Sequence, residues 1–277
     1  MPVIIHSIHG FGFNPYQNFF IRNLFKFLEK WIAKFTDVLI AVSQNNIEEG
    51  LKLGIGRRER YELIRSGVDI EKMRNAARQA DAGKLRRELK IPEKSKIVLS
   101  IGPFKLQKDP VAFVHVAAKA LKKIPDACFL WSGDGELRTD VETAIKNLNV
   151  TDSVKLLGWR DDIPSLLSLC NIFALTSLWE GLPRAGVEAL IAGRPVVAFA
   201  VDGVPEIVQE GKNGFLLKPG DQEGFAERII KILADSGLEQ QLRENAGKTI
   251  DASFDIRGMV RAQETLYDKI LARARSR

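Results

Sequence analysis

Apolar positions along the chain follow two periods, and each marks a kind of element. From Tyr16 to Lys34, Phe20, Leu24, Phe27, Leu28 and Trp31 recur three and four apart, with Arg22, Lys26, Lys30 and Lys34 between them. That is the stripe of an amphipathic helix, expected to pack on a neighbouring sheet. Before it stand a short apolar run, Val3–Ile5, and a Gly-rich aromatic turn from His9 to Pro15. After it, Val38–Val42 reads as a buried strand, with Ser43 placed to cap a helix over Gln44–Leu53. A further short strand is expected at Tyr61–Ile64, then a loop at Ser66–Asp69 and a polar helical stretch over 72–92 that closes at Pro92.

Beyond Lys96 the alternation becomes regular. Strand-like runs fall at 97–101, 127–132, 154–157, 172–175, 195–200 and 215–217; helical patterns fall at 110–123, 136–148, 163–169, 185–192 and 221–235. Near-continuous apolar strands separated by amphipathic helices predict an α/β fold, a doubly wound, Rossmann-like parallel sheet covered on both faces. Its ligands belong beyond the carboxyl ends of the strands. Residues 3–70 supply only two or three strands, too few for an independent sheet with a crevice. The expected layout is a partial N-terminal domain over 1–75, a complete Rossmann-like domain over 76–255, and a C-terminal helix over 256–277 that packs back on the N-terminal part. On this reading the chain is the later part of a longer two-domain protein.

Composition narrows the classes. A length of 277 residues suits two domains. Cys128 and Cys170 both lie in apolar runs and read as reduced core residues of a cytoplasmic protein. Lys and Arg outnumber Asp and Glu by 41 to 35, a net charge of +6 that suits anionic partners without choosing among them. The cations are scattered and share no obvious exposed stripe with aromatics, so nucleic acid is not an expected partner. Three histidines, at 6, 9 and 115, make no metal-ligand pattern, and no stretch has the length and apolarity of a membrane span. The first residues lack the basic and apolar regions of a signal peptide.

Four strand-to-helix junctions carry candidate chemistry. Gly102-Pro103-Phe104-Lys105-Leu106-Gln107-Lys108-Asp109 combines a glycine that admits close backbone approach with two lysines that suit an anion; solvated lysines beside a plain turn are the bland alternative. Gly133-Asp134-Gly135-Glu136-Leu137 lacks the third glycine of a dinucleotide fingerprint and reads equally as a tight turn. In Gly158-Trp159-Arg160-Asp161-Asp162-Ile163, the Arg160 plane could stack on a heterocycle, while Asp161 or Asp162 reads as a helix cap. The run from Ser177 through Trp179-Glu180-Gly181-Leu182-Pro183-Arg184 to Glu188 opens a helix whose first amides form a ready anion site. Its two carboxylates, eight positions apart, suit vicinal hydroxyls of a sugar and a ribose.

Together these motifs resemble the retaining GT-B glycosyltransferases of family 4. The E-x7-E block from Glu180 to Glu188 continues into Val201-Asp202-Gly203-Val204-Pro205-Glu206, and the I-G-x-x-K-x-x-K-D loop, G-D-G-E-L and L-G-W-R-D-D-I-P precede it in the family's order. The resemblance spans nearly the whole chain. It implies a GT-B fold in which residues 76–255 bind a nucleotide sugar, and transfer of a sugar from a nucleotide-diphosphate donor, most commonly UDP-linked, to a saccharide or lipid-linked saccharide acceptor. It implies Glu180 on the hydroxyls of the donor sugar, Glu188 on the ribose, and the amides around Gly181, Leu182, Pro183 and Arg184 facing the sugar and diphosphate, although Pro183 itself has no N–H. Lys108 matches the lysine that neutralises the diphosphate, and His9 the N-domain histidine that faces the donor sugar, so Glu180, Lys108 and His9 form the implied catalytic set. Gly102, Gly133, Glu136 and Leu137 line the implied nucleotide site, with Arg160 and Ile163 at the base. Where many members carry Arg after the loop glycine this chain has Pro103, and Lys105 is the expected replacement. No cofactor or metal is implied, because a helix terminus and lysines can stabilise the leaving diphosphate. Two further expectations follow: weak contact of the Tyr16–Lys34 helix with an anionic membrane surface, at the inner face of the cell membrane, and, as the alternative to an active enzyme, a truncated or split nucleotide-sugar-binding subunit inactive on its own.

Overall fold

The computed structural model describes residues 3–275. In chain order the elements are β1 (Ile5–Ile8), α1 (Phe19–Phe35), β2 (Val38–Ala41), α2 (Gln44–Leu53), β3 (Tyr61–Leu63), α3 (Ile70–Gln79), α4 (Ala82–Glu88), β4 (Ile97–Ile101), α5 (Pro110–Leu121), β5 (Cys128–Ser132), α6 (Arg138–Asn147), β6 (Val154–Leu156), α7 (Ile163–Leu169), β7 (Ile172–Leu175), α8 (Arg184–Ile191), β8 (Val196–Phe199), β9 (Gly214–Leu217), α9 (Gln222–Ala234), α10 (Ser236–Ala246) and α11 (Ile256–Arg275).

β4–β9 form one six-stranded parallel sheet in the order β6-β5-β4-β7-β8-β9. The strands are apolar on both faces because both are covered: every residue of β5, β7 and β8 is buried. Leaving β4 the chain builds outward through β5 and β6, then returns to β7 on the other side. The order therefore reverses between β4 and β7, and the loops that follow those two strands open a crevice there.

β1-β2-β3 form a separate three-stranded parallel sheet. Ile8, Leu39, Ala41 and Tyr61 pack with Phe13, Ile47 and Ile55 on one side. On the other side Ile40 and Ile64 meet Leu266, Met259 and Ile270 of α11, which crosses back from the end of the chain. A short bridge between Val68 and Asp255, with Ile256 N–H donating to Val68 C=O, fixes where α11 begins its return. Residues 276 and 277 of the expected final helix lie outside the described residues.

Several expectations shift. The first strand is Ile5–Ile8 rather than Val3–Ile5, because its pairing with Val38–Ala41 sets its extent. The expected helix over 72–92 is two helices, broken where Asp81 accepts from Lys84 N–H and starts α4. The helix expected to end near 235 is followed by another, α10, which Asp235 caps through Gly237 and Leu238 N–H. The largest correction concerns α1. Its apolar stripe does not pack on the sheet: Phe20 is 80% exposed and Phe27 62%, Leu24 and Trp31 are exposed too, and Ala33 is its one buried residue. The face α1 turns inward is instead the one with Ala33 and the part-buried Arg22, Lys26 and Glu29, which meet a cleft, Phe13 and His6. Of the four cations of α1, Lys30 and Lys34 are exposed, while Arg22 and Lys26 turn inward, Lys26 over the Phe13 ring.

Candidate active site

The crevice between β4 and β7 is knitted from backbone. Leu178 N–H donates to Gln107 C=O, the Gln107 side-chain amide donates to Trp179 C=O, and the Thr176 hydroxyl bonds the carbonyls of Lys108 and Asp109. Asp109 holds a left-handed conformation, φ 43°, and its carboxylate caps α5 through Ala112 N–H. The loop after β4 is thereby locked to the loop after β7, which carries Lys108 to Glu180. Lys108 Nζ and Glu180 Oε1 form a close ion pair, with Glu180 buried and Lys108 partly so. This pair joins two junctions that lie 72 residues apart in the chain.

The glycine-rich junctions meet beside it. A Cβ on Gly133, whose φ is +140°, would lie 1.9 Å from Gly102 O, so the two strand ends touch only because glycine stands there. Phe104 N–H donates to Asp134 C=O and Leu137 N–H to Phe104 C=O, binding the G-D-G-E-L turn to the first loop. Glu136 and Lys105 project into solvent.

At the opening of α8, Leu182 and Pro183 are buried and no side chain caps the first amides, an arrangement that suits an anion. Glu188, one turn on, is held by Arg184 Nε at 2.9 Å. At the third junction Arg160 is gripped in two-point fashion by Asp162, both contacts at 2.7 Å, and by Glu88 at 3.1 Å. These hydrogen bonds raise the Arg160 pKa and lower that of Asp162. Asp162 precedes α7 but spends its carboxylate on Arg160, not on the helix amides, so it is not a side-chain cap. Ile163 begins α7, half-buried, and Trp159 lies 67% exposed alongside.

The N-terminal turn closes the other wall. A Cβ on Gly181 would sit 2.0 Å from His9 O and 3.0 Å from Gly10 N, so the two backbones meet directly. Tyr16 stacks on Trp179, ring centroids 5.7 Å apart. Between these contacts lies a cleft of about 170 Å³ lined by His9, Arg22, Asn46, Glu49, Trp179, Glu180 and Asp202, among others. Two of these, Asn46 and Glu49, are absent from the residues singled out in the sequence; Arg22 and Asp202 stand there only as parts of a helix pattern and a motif, with no site role. Asp202 accepts the Glu180 N–H at 2.6 Å from a left-handed backbone, φ 42°, an uncommon conformation for a residue with a side chain. Burial pushes its carboxyl pKa up, and the Glu180 carboxylate adds to the rise. Burial and the Asp202 charge raise Glu49 likewise. Asn46 is buried with its Oδ1 unpaired.

Of the residues expected to act together, then, His9, Glu180 and Gly181 line one cleft, Lys108 joins them through its ion pair with Glu180, and Gly102 and Gly133 meet at the neighbouring strand ends. Arg160, Ile163, Glu136 and Leu137 lie on the neighbouring loops toward β5 and β6. No group of three or more His, Cys, Asp or Glu that could hold a metal ion occurs among the described residues.

A family described as "Glycosyl transferases group 1" matches residues 81–249, the six-stranded sheet and its helices. The chain belongs to that family. The UDP-Gal:alpha-D-GlcNAc-diphosphoundecaprenol alpha-1,3-galactosyltransferase of Escherichia coli is 28% identical over 274 residues, covering 98% of this transferase and 70% of the relative. The N-acetyl-alpha-D-glucosaminyl L-malate synthase of Bacillus anthracis is 29% identical, covering 97% and 68%. Among solved structures, Anabaena Alr3699/HepE in complex with UDP-glucose superposes with a TM-score of 0.83 at 26% identity, covering 96% of this transferase and 72% of that chain. The architecture is that of GT-B glycosyltransferases.

Proposed function

We propose that the transferase is a retaining family 4 enzyme that moves a hexosyl group from a UDP-linked donor to a saccharide or lipid-linked saccharide acceptor. The observation that carries this is the Lys108–Glu180 pair, with Glu180 four residues before the uncapped start of α8 and lining one cleft together with His9. The names of its relatives support the substrate classes: one transfers galactose from UDP-Gal to a diphosphoundecaprenol-linked sugar, and another is solved with UDP-glucose.

On this reading Lys108 leaves Glu180 for the diphosphate when donor binds, and Glu180 turns to the hydroxyls of the sugar. Glu188 takes the ribose in place of Arg184. Negative charge that builds on the leaving phosphate is met by Lys108 and the first amides of α8, fixed before the reaction begins. The acceptor hydroxyl attacks from the face the diphosphate leaves. Its oxygen bonds C1 as the C1–O(phosphate) bond breaks, and its proton passes to the departing phosphate oxygen, so the configuration at C1 is kept. Lys105, exposed at the mouth of the loop, supplies further charge where Pro103 cannot. His9 positions the sugar from the opposite wall. No metal or cofactor has a part in this scheme.

A second reading is favoured by the three-stranded sheet and the uncovered stripe of α1: a nucleotide-sugar-binding unit that turns over only with further strands supplied. The same stripe, with the exposed Lys30 and Lys34, supports weak contact with an anionic membrane surface at the inner face of the cell membrane, where a lipid-linked acceptor would lie. No helix among the described residues is long and apolar enough to cross a membrane.

A thermal-shift screen of nucleotide-diphosphate sugars tests the assignment. A donor at 100 times its dissociation constant stabilises by about 2.7 kcal/mol. A shift with UDP-hexoses and product of unchanged anomeric configuration is the expected result; no shift with any donor overturns it. A shift without turnover selects the second reading.

A further inference from the structure

The candidate active site sits at the carboxyl ends of β4–β9. Across the sheet, where the chain leaves α8 and turns into β8, a groove of about 510 Å³ lies between α3, the end of α8 and the end of α10. Five cations line it, Arg74, Arg78, Arg194, Arg243 and Lys248, and one carboxylate, Glu244. Glu244 already accepts the Gln240 amide at 2.9 Å. Arg74, Arg78 and Lys248 form no ion pair among the described residues. Arg243 reaches Glu239 only at 3.5 Å, because Lys96 and Asn171 hold that carboxylate at 2.8 and 2.7 Å.

Arg194 is the anchor. It is 9% exposed; two of its nitrogens donate to the Cys170 and Ser168 carbonyls, and its Nε is buried without a partner. A guanidinium desolvated to that degree normally meets a carboxylate. No carboxylate hydrogen-bonds it here: Glu239 lies near enough to favour its charge but is held by Lys96 and Asn171, and Arg243 adds like charge close by.

Helix ends account for part of this. α8 and α10 both end at the groove, and Arg78 lies in the last turn of α3. Each carboxyl terminus offers roughly half a negative charge. Three such ends and Glu244 together offset about half of five positive charges, leaving a surplus of roughly two to three. Surface solvation accounts for single exposed cations; a concave surplus of positive charge around a largely buried arginine suits an anionic ligand.

We propose that this groove is a second anion site, separate from the donor site, that takes one compact ligand bearing two phosphoryl groups. The planar forks of Arg74 and Arg78, one helical turn apart on α3, suit adjacent phosphate oxygens, and Lys248 closes the charge from the other side. The same chemistry occurs in a free diphosphate and in the phosphates of an acidic lipid headgroup.

The test titrates inorganic pyrophosphate into the full chain with the donor site already filled by saturating UDP. Binding at one equivalent is expected, weakening as salt rises. The double variant Arg74→Gln/Arg78→Gln should weaken it at least tenfold and leave UDP affinity unchanged; Lys248→Gln should weaken it less. Absence of pyrophosphate binding to the UDP-saturated protein overturns the proposal, as does binding that the double variant retains in full. Flotation with cardiolipin-containing vesicles, whose headgroup carries two phosphates, separates the sources. Loss of flotation in the double variant and competition by pyrophosphate assign the site to a headgroup; equal flotation of both proteins beside a tenfold loss of pyrophosphate affinity assigns it to a free diphosphate.

Discussion

Lys108 and Glu180 neutralise each other in the shut cleft, so each is costly to remove alone and each has a different consequence. Lys108→Ala leaves a buried carboxylate without its cation. It is expected to abolish the diphosphate-dependent part of UDP affinity, tenfold or more, while uridine binds nearly as before; calorimetry with both ligands checks this. Glu188→Ala should weaken UDP by a similar factor, whereas Glu180→Ala should mainly lower kcat. Asp202 supplies a prediction in pH. Its carboxyl pKa is raised by burial and by Glu180, so the folded state holds this proton more tightly than the unfolded chain. That stabilisation is complete below the ordinary carboxylate pKa and is lost as pH rises through the raised value. Asp202→Asn keeps an oxygen for Glu180 N–H and tolerates φ 42°, so its melting temperature should gain on wild type between pH 4 and pH 7. Equal pH dependence of the two proteins would count against this. Lys108 and Glu180 were legible because each sits in a local loop motif. Asn46 and Glu49 were not, and Asp202 was read only as part of a motif: what brings the three together is the closing of segments about 150 residues apart, which no local period records.

Helix α1 shows how far periodicity reaches. The spacing of Phe20, Leu24, Phe27 and Trp31 identified the helix to within three residues of its start and one of its end, but could not say what would cover the stripe. The same limit explains α3 and α4, where an Asp cap interrupts a polar pattern, and α10, whose start at Asp235 follows α9 without a glycine or proline. Because these aromatics are exposed, Phe20→Glu/Phe27→Glu should change stability by only about 0.5 kcal/mol or less per site. The wild type is expected to float with anionic vesicles at low salt and to be released as salt shortens the Debye length to below about 10 Å. The double variant should stay in solution throughout. Wild-type protein that never floats removes the membrane contact and leaves the transferase assignment standing.

Over the whole molecule, three ties join the small sheet to the large one. α11 returns to seal Ile40 and Ile64, the cleft backbones meet at His9 and Gly181, and Glu206 reaches from beyond β8 to the start of α2. Glu206 accepts Asn45 N–H at 3.0 Å and pairs with Arg65 at 2.8 Å. Arg65 in turn lies over the Phe254 ring. Glu206→Ala is expected to lower the melting temperature by a few degrees and to speed amide exchange in the first turn of α2, without loss of UDP affinity, because the carboxylate touches the small domain and not the donor loops. The doubly wound sheet was legible strand by strand, since βαβ alternation is local; these ties were not, because Asn45 and Glu206 stand 161 positions apart.

The backbone contact at Gly181 bears on the order of events in a turnover. Ligand sites for molecules the size of a nucleotide sugar commonly measure 300 Å³ or more, and the cleft beside His9 measures about 170 Å³. With a carbonyl lying where any Cβ would be, the wall cannot retreat by a change of side-chain rotamer; the two sheets themselves must part to admit the donor and part again to release the spent nucleotide. Separation of the halves then sets a ceiling on the catalytic cycle. Added viscogen should slow steady-state turnover while leaving the first, burst turnover of preloaded enzyme almost untouched.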